Sequence, residues 1–452
     1  MNSRAILSID FLLILLISVL LPSCSRTNKS SNSELESNMN KISENYVKLV
    51  LKVGELDKDY VDAYYGPQDW EPHDKLITKE DSTSLRSFCD VQTDSLLNNL
   101  DALKNFKADE IQTLRYRFLY KQLLAVKAKI FMLSGGSFSF DEESKALYDA
   151  VAPTHPIDYY QKIINELSSI LPGKGSVNTR LENFRKSFII PKEKLDTVFK
   201  AAIEECKRRT LDHIKLPENE KFKIEYVTNK PWSGYNWYKG NYFSEIQINT
   251  DLPIYIDRAI DLAAHEGYPG HHTYNSLLEE NLVKKHGWME YTVYPLFSPQ
   301  SLIAEGTANY GIKMIFPGDS KIEFEKKVLF PLAGLNPKDA DKYNEVLGLV
   351  DTLNYSGNEA ARNYLDGKWN KTETINWLVK YSLMSEERAA QRLKFIEKYR
   401  SYVINYNLGQ DLINDYIKHN GGANNDAKKW SLFTYLISTP QTPSGLKQLI
   451  DK

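Results

Sequence analysis

His265-Glu266-Gly267-Tyr268-Pro269-Gly270-His271-His272 is the stretch on which the reading turns. His followed by Glu on a helix puts a nitrogen ligand and a carboxylate side by side, their side chains about 100° apart round the axis. The usual second ligand is a His one turn later, but Pro269 stands there and cannot bind metal. On a regular helix His271 falls six steps on, about 240° round, and His272 lies ~10.5 Å along the axis. Pro269 removes a helical hydrogen bond and clashes with the preceding turn, and Gly270 tolerates unusual backbone angles. A break or bulge at Tyr268–Gly270 is therefore expected, swinging one histidine back beside His265. The reading favours His271, with His272 as the alternative. The histidine left over would orient a ligand or bind substrate.

Working outward, Leu302-Ile303-Ala304-Glu305-Gly306-Thr307-Ala308-Asn309-Tyr310-Gly311 reads as a helix whose small residues allow close packing on another helix. Glu305 is the natural third metal ligand. Asn309, one turn on, can accept a hydrogen bond from the free ring N–H of a ligand histidine. Three nitrogen or oxygen ligands with one open position suit a catalytic zinc ion, Zn2+. Such an ion makes water acidic near neutral pH, and Glu266 is placed to take the proton as general base. Near the C-terminus Tyr399, Tyr402 and Tyr406 fall on one face if Ser385 to Tyr406 is a single helix. Tyr402 or Tyr406 is then the candidate donor to a developing oxyanion, and Arg400 a candidate anchor for a substrate carboxylate.

The chain has 452 residues, 42% apolar and 26% charged, with a formal net charge of −2. That is the composition of a folded protein, with no basic tract to grip nucleic acid. Asp109 to Leu133, Pro191 to Ile214 and Ser385 to Tyr406 carry helical periodicity, with Pro191 suited to a first turn and Ser385 to an N-cap. Phe222–Thr228 and Tyr242–Thr250 alternate as strands do, with Trp232-Ser233-Gly234 as a turn between them. The Tyr242–Thr250 strand could hold an extended peptide along its edge. The expectation is a mainly α fold: a large helical zincin-like body, a small antiparallel β-sheet next to the active-site helix, and a substrate cleft between helical halves.

Phe11 to Leu21 is almost wholly apolar. Eleven helical residues reach about 16 Å, short of a ~30 Å hydrocarbon core, so residues 1–23 read as a signal peptide. Leu21-Pro22-Ser23-Cys24 resembles a bacterial lipobox with Cys24 as the lipidated residue, although Pro22 is off-pattern. Ser25 leans towards the outer membrane. Residues 24–40 read as a flexible, lipid-anchored tether, 41–185 as an N-terminal helical region and 186–452 as the catalytic region. Three cysteines, Cys24, Cys89 and Cys206, make no disulfide framework. The oligomeric state is left open.

His-Glu-x-x-Pro-Gly-His-His followed by Glu-Gly-x-Ala-x-Tyr resembles the bacterial family called domain of unknown function 885, regarded as zinc peptidases related to the gluzincins. The likeness is clearest from Trp232 to Tyr310, with an echo in Tyr406-x-x-Gly409. It implies His265, His271 and Glu305 as ligands, Glu266 as general base, and a peptide substrate. Thr307 departs from the family's usual Trp, and the family's C-terminal Arg-Tyr and Gln have no match at the same spacing. Two other readings go with these residues. One is a metal-dependent amidase acting on non-peptide or cell-wall substrates. The other is a lipoprotein that binds peptide or metal without catalysis.

Overall fold

Helix formation begins earlier than composition suggests. In the computed structural model, which describes residues 24–72, 78–106 and 108–451, the first helix α1 runs Cys24–Leu56. The expected signal peptide, 1–23, lies outside the described residues. Residues 24–40 are thus helical where a tether was expected. The reason is a stripe hidden in the Ser/Asn-rich sequence: Leu35, Met39, Ile42 and Tyr46 follow one another at three- and four-residue steps and are all buried.

The N-terminal part continues through β1 (Val61–Tyr64), α2 (Lys79–Leu103), α3 (Glu110–Leu133), α4 (Phe140–Tyr148), α5 (Ile157–Ile170), α6 (Val177–Lys186) and α7 (Leu195–Leu211). Asp109 caps α3 by accepting from the Gln112 N–H at 2.9 Å. Pro191 opens a short 3-10 turn, 192–194, ahead of α7. A three-stranded sheet follows: β2 (Lys221–Val227), β3 (Gly234–Tyr238) and β4 (Phe243–Asn249), in the order β2-β4-β3. The β3–β4 pair is antiparallel, as expected of a small antiparallel sheet beside the site. The two strands read from the sequence, β2 and β4, are however parallel to each other, because the chain between them contributes β3 to the far side of β4. The alternation of apolar residues was right; it carries no information on strand direction. β4 is consequently the central strand, paired on both sides, and its edge cannot receive a peptide. Along β4, Ser244, Ile246 and Ile248 are buried together on one face.

After the sheet come α8 (Asp257–Leu262), α9 (His271–Leu278), β5 (Val293–Pro295, antiparallel to β1) and α10 (Pro299–Ile315). Then follow α11 (Ser320–Phe324), α12 (Phe330–Ala333), α13 (Ala340–Asp351), α14 (Ser356–Leu365) and α15 (Lys371–Tyr381). The last are α16 (Glu386–Tyr399), α17 (Ile404–Ile417), α18 (Asp426–Ser438) and α19 (Pro443–Ile450). The fold is mainly α. Its hydrophobic core continues across residue 185, from Leu35 to Leu446. A buried ion pair also crosses that point: Arg115 on α3 bonds Glu290 at 2.6 and 3.0 Å, and Ser43 on α1 donates to the same carboxylate at 2.6 Å.

Two features of the C-terminal part matter for the site. Ser385 caps α16 as expected, but the helix ends at Arg400, whose φ of 53° leaves helical space. A 3-10 turn, 400–403, then leads into α17, so Tyr399, Tyr402 and Tyr406 do not share one continuous helix. The second feature is the crossing of α10 and α17. A Cβ at Gly306 would lie 2.4 Å from the Gly409 backbone, and one at Gly409 would lie 2.6 Å from the Leu302 carbonyl. The two helices touch main chain to main chain there, which is what the small residues of α10 permit.

Candidate metal centre

The segment from Ala263 to Gly267, which carries His265 and Glu266, is a π-helical turn continuing α8. Such bulges are frequent at functional sites, where the widened turn re-aims side chains. The Tyr268 N–H reaches back to the Ala263 carbonyl at 3.1 Å and the Gly270 N–H to Ala264 at 2.9 Å. Tyr268 itself is extended, the Tyr268–Pro269 peptide is cis, and α9 starts at His271. The break falls at the residues where Pro269 and Gly270 predict it. Gly270 is obligatory: a Cβ there would sit 1.9 Å from the His265 carbonyl oxygen.

The break brings His271, not His272, to His265. Their rings lie 4.8 Å apart at 86°. Glu305 from α10 completes the group, with its carboxylate oxygens 3.2 Å from His265 Nε2 and 3.8 Å from His271 Nε2. One ligand atom from each of the three residues lies within 4.8 Å of the others. The remaining histidine is fully buried elsewhere. His272 Nε2 bonds Glu220 at 2.8 Å and its Nδ1 pairs with Ser244 Oγ at 2.8 Å. It does not reach the cleft, so the expected substrate-binding role for His272 is not met.

The tautomer of His265 follows from its neighbours. The Asn309 side-chain N–H donates to the Tyr406 carbonyl at 2.9 Å, which turns Asn309 Oδ1 towards His265. His265 Nδ1–H then donates to that oxygen at 2.8 Å, which leaves Nε2 as the nitrogen that faces Glu305. This is the supporting role expected of Asn309. Glu305 Oε2 is buried and has no hydrogen-bond partner, while Tyr402 donates to Oε1 at 2.7 Å. Two imidazole nitrogens and a buried carboxylate oxygen without a hydrogen bond thus converge. That donor set fits zinc. The electrostatics agree that positive charge is wanted. Burial depresses the His265 pKa, but Glu305 and Glu266 outweigh it and lift the ring to about 9. Burial raises the Glu305 carboxyl, yet the two histidines hold it well below the usual carboxylate range.

Glu266 is buried beside this group, and burial pushes its carboxyl above the ordinary value. β3 packs directly on it: a Cβ at Gly234 would lie 3.0 Å from Glu266 Oε1, and Asn236 donates to the Glu266 carbonyl at 2.7 Å. All of these groups line a cleft of about 930 Å³. Trp232, Tyr235, Phe395, Tyr399, Tyr402 and Tyr406 line it too.

Two sequence expectations are corrected here. Arg400 does not face the cleft; its guanidinium grips the buried Glu143 at 2.7 Å through both Nε and Nη2. Tyr402 spends its hydroxyl on Glu305, so it supports a ligand and is not a free donor, whereas Tyr406 carries no such bond. The sequence reading also missed Asp62, on β1, whose carboxylate accepts from Tyr235 and faces the same cleft. Burial raises its pKa; the Tyr235 bond and His271 pull it back, leaving it at about 6. It lies about 200 residues from the motif, and no local pattern marks it.

No protein-family model matches the chain, and no curated protein does. Among solved structures it is similar in outline to a candidate lipoprotein from Colwellia psychrerythraea. That match has 15% identity, spans 85% of this chain and 71% of that one, and has a TM-score of 0.47. A candidate lipoprotein of unknown function from Shewanella oneidensis gives 14% identity over 81% and 73%, with a TM-score of 0.46. A protein described as BsuCP gives 12% over 90% of each chain, with a TM-score of 0.40. Function is therefore read from the site's own chemistry.

Proposed function

We propose that the chain is a zinc-dependent hydrolase that cleaves peptide bonds. One observation carries this reading: His265, His271 and Glu305 converge at the wall of a large cleft, with the buried Glu266 as their immediate neighbour. A pure metal-binding site has no use for that carboxylate. When bound, zinc polarises a carbonyl and makes a water acidic near neutral pH. His265, His271 and Glu305 would hold it, with Asn309 fixing the His265 tautomer and Tyr402 fixing Glu305. Glu266 takes the proton of the attacking water and returns it to the leaving amine. A carboxyl with a raised pKa suits both transfers. The Tyr406 phenol is the donor for the developing oxyanion. β3, the outer strand of its sheet, lines the cleft with Gly234 to Asn236 and offers an edge for an extended peptide.

Purified protein should contain one zinc per chain and turn over a mixed peptide library. Glu266→Gln should keep the metal and lose about 10²- to 10⁴-fold in rate. Absence of stoichiometric zinc from the wild type ends this reading.

From Leu21-Pro22-Ser23-Cys24 we infer a lipoprotein of the bacterial envelope, with the outer membrane as its site. No helix among the described residues is long and apolar enough to cross a membrane. Cys24→Ala should move the protein from the membrane fraction to the soluble one; a variant that still sediments with membranes rules out the lipid.

A further inference from the structure

The cleft that holds the metal centre also holds an arginine without a counter-ion. Arg392 lies on α16 and lines the cleft. Its Nε is buried with no hydrogen-bond partner. Its guanidinium carbon lies 5.0 Å from the centre of the Phe395 ring. Among the described residues no carboxylate comes within ion-pair distance of it. The contrast with other arginines of the interior and its margin is sharp. Arg115 is paired with Glu290 at 2.6 Å, Arg362 with Glu359 at 2.9 Å and Asp141 at 3.0 Å, and Arg400 with Glu143 at 2.7 Å. Arg388, one turn earlier on α16 and also lining the cleft, donates to the Pro253 carbonyl at 3.2 Å and lies over the Tyr255 ring, with no carboxylate partner among the described residues. Burial lowers the pKa of both Arg388 and Arg392.

A buried charge without a partner is costly, and such groups persist where a ligand supplies the missing charge. The planar guanidinium fork matches a carboxylate in two parallel hydrogen bonds. Position supports a role towards substrate. From the guanidinium, ring steps of 5.0 Å to Phe395, 6.3 Å to Tyr406 and 6.5 Å to His265 lead to the metal centre. At about 3.4 Å per extended residue, only a few residues of peptide fit between.

We propose that Arg392 is the anchor for a carboxylate of the bound peptide, seated a few residues from the bond to be cut. The carboxylate is either the peptide's free C-terminus or an acidic side chain. The C-terminus would make the enzyme a trimmer of peptide ends; a side chain would make it selective for acidic residues. The inference rests on the peptidase reading for its biological meaning, but its test does not need turnover.

The test is equilibrium binding of short peptides to the full-length Glu266→Gln protein, by calorimetry. One pair of peptides differs as C-terminal acid and amide; the other differs as internal Glu and Gln. The expected result is at least about tenfold tighter binding of the acid member of one pair, with the pair identifying the source. Adding Arg392→Ala, or the uncharged but polar Arg392→Gln should the first fold poorly, should bring that ratio towards one. Equal affinity within both pairs overturns the anchor, as does a preference that survives loss of Arg392. If discrimination is found while the wild type hydrolyses no peptide, the anchor stands and the hydrolase reading falls.

Discussion

His271 and His272 are neighbours in sequence and belong to two different clusters of imidazole and carboxylate. In one, His271 joins His265 and Glu305; in the other, His272 joins Glu220. The second cluster is complete. Glu220 Oε2 accepts from His272 at 2.8 Å and from Tyr268 at 2.5 Å, Oε1 pairs with Lys207 at 2.7 Å, and Ser244 serves the other ring nitrogen. The first cluster is incomplete, with Glu305 Oε2 buried at the wall of a cleft and facing His265 without a hydrogen bond. A closed set of partners is what a structural cluster needs, and a missing partner marks where something else binds. The two also depend on each other. Tyr268 and His272 flank the Pro269-Gly270 break and both hold Glu220, so the complete cluster fixes the bend that sets His271 beside His265.

The comparison is broken or upheld most strongly by exchanging the charge in each cluster. Glu305→Gln should lose stoichiometric zinc and at least ~100-fold of turnover, since even outer partners of a metal ligand cost 10–100-fold. Glu220→Gln should retain zinc but unfold more easily, by about 1.5–3 kcal/mol, because the buried carboxylate's charge-assisted hydrogen bonds from His272 and Tyr268 are weakened. Metal analysis and thermal melting of the two variants decide it. If Glu220→Gln loses zinc as completely as Glu305→Gln does, the clusters are not separate devices.

The contrast also shows where sequence reasoning had purchase. His265, Glu266, Pro269 and Gly270 are informative because residue type alone limits what the backbone and the side chains can do there. The helix cap at Ser385 and the small-residue face of α10 are legible for the same reason. Features made by distant residues were not. Arg400 looked like a cleft residue because helical periodicity continues through it; Glu143, 257 positions away, takes its guanidinium and the helix ends. Asp62 reaches the site only because β1 pairs with β5 in front of α10. The direction of β2 against β4 depends on where an intervening strand docks, which alternation does not encode. Thr307, the departure from the family pattern, is buried and donates to the Ile303 carbonyl at 2.8 Å, within its own helix.

A smaller effect sharpens the comparison through pH. Glu220 is held at about 2: burial raises its pKa, but the bonds from His272, Lys207 and Tyr268 outweigh it. Its folded-state pKa is thus below the unfolded value of about 4.5. Stability from a depressed carboxylate is fully present above the unfolded pKa and is lost as pH falls through the folded one. The His272 ring is pushed the same way, downward, chiefly by burial, so it stays neutral and its contribution fades as pH drops below about 6.5. The difference in melting temperature between wild type and Glu220→Gln, both with a chelator present, should therefore narrow as pH is lowered, most steeply below about 4.5. Chelation matters because it removes the metal, which itself competes with protons for the first cluster. A gap of constant size from pH 7 to pH 3 would mean that Glu220 acts by shape and not by charge, and the complete cluster would then lose its claim to be an electrostatic clamp on the bend.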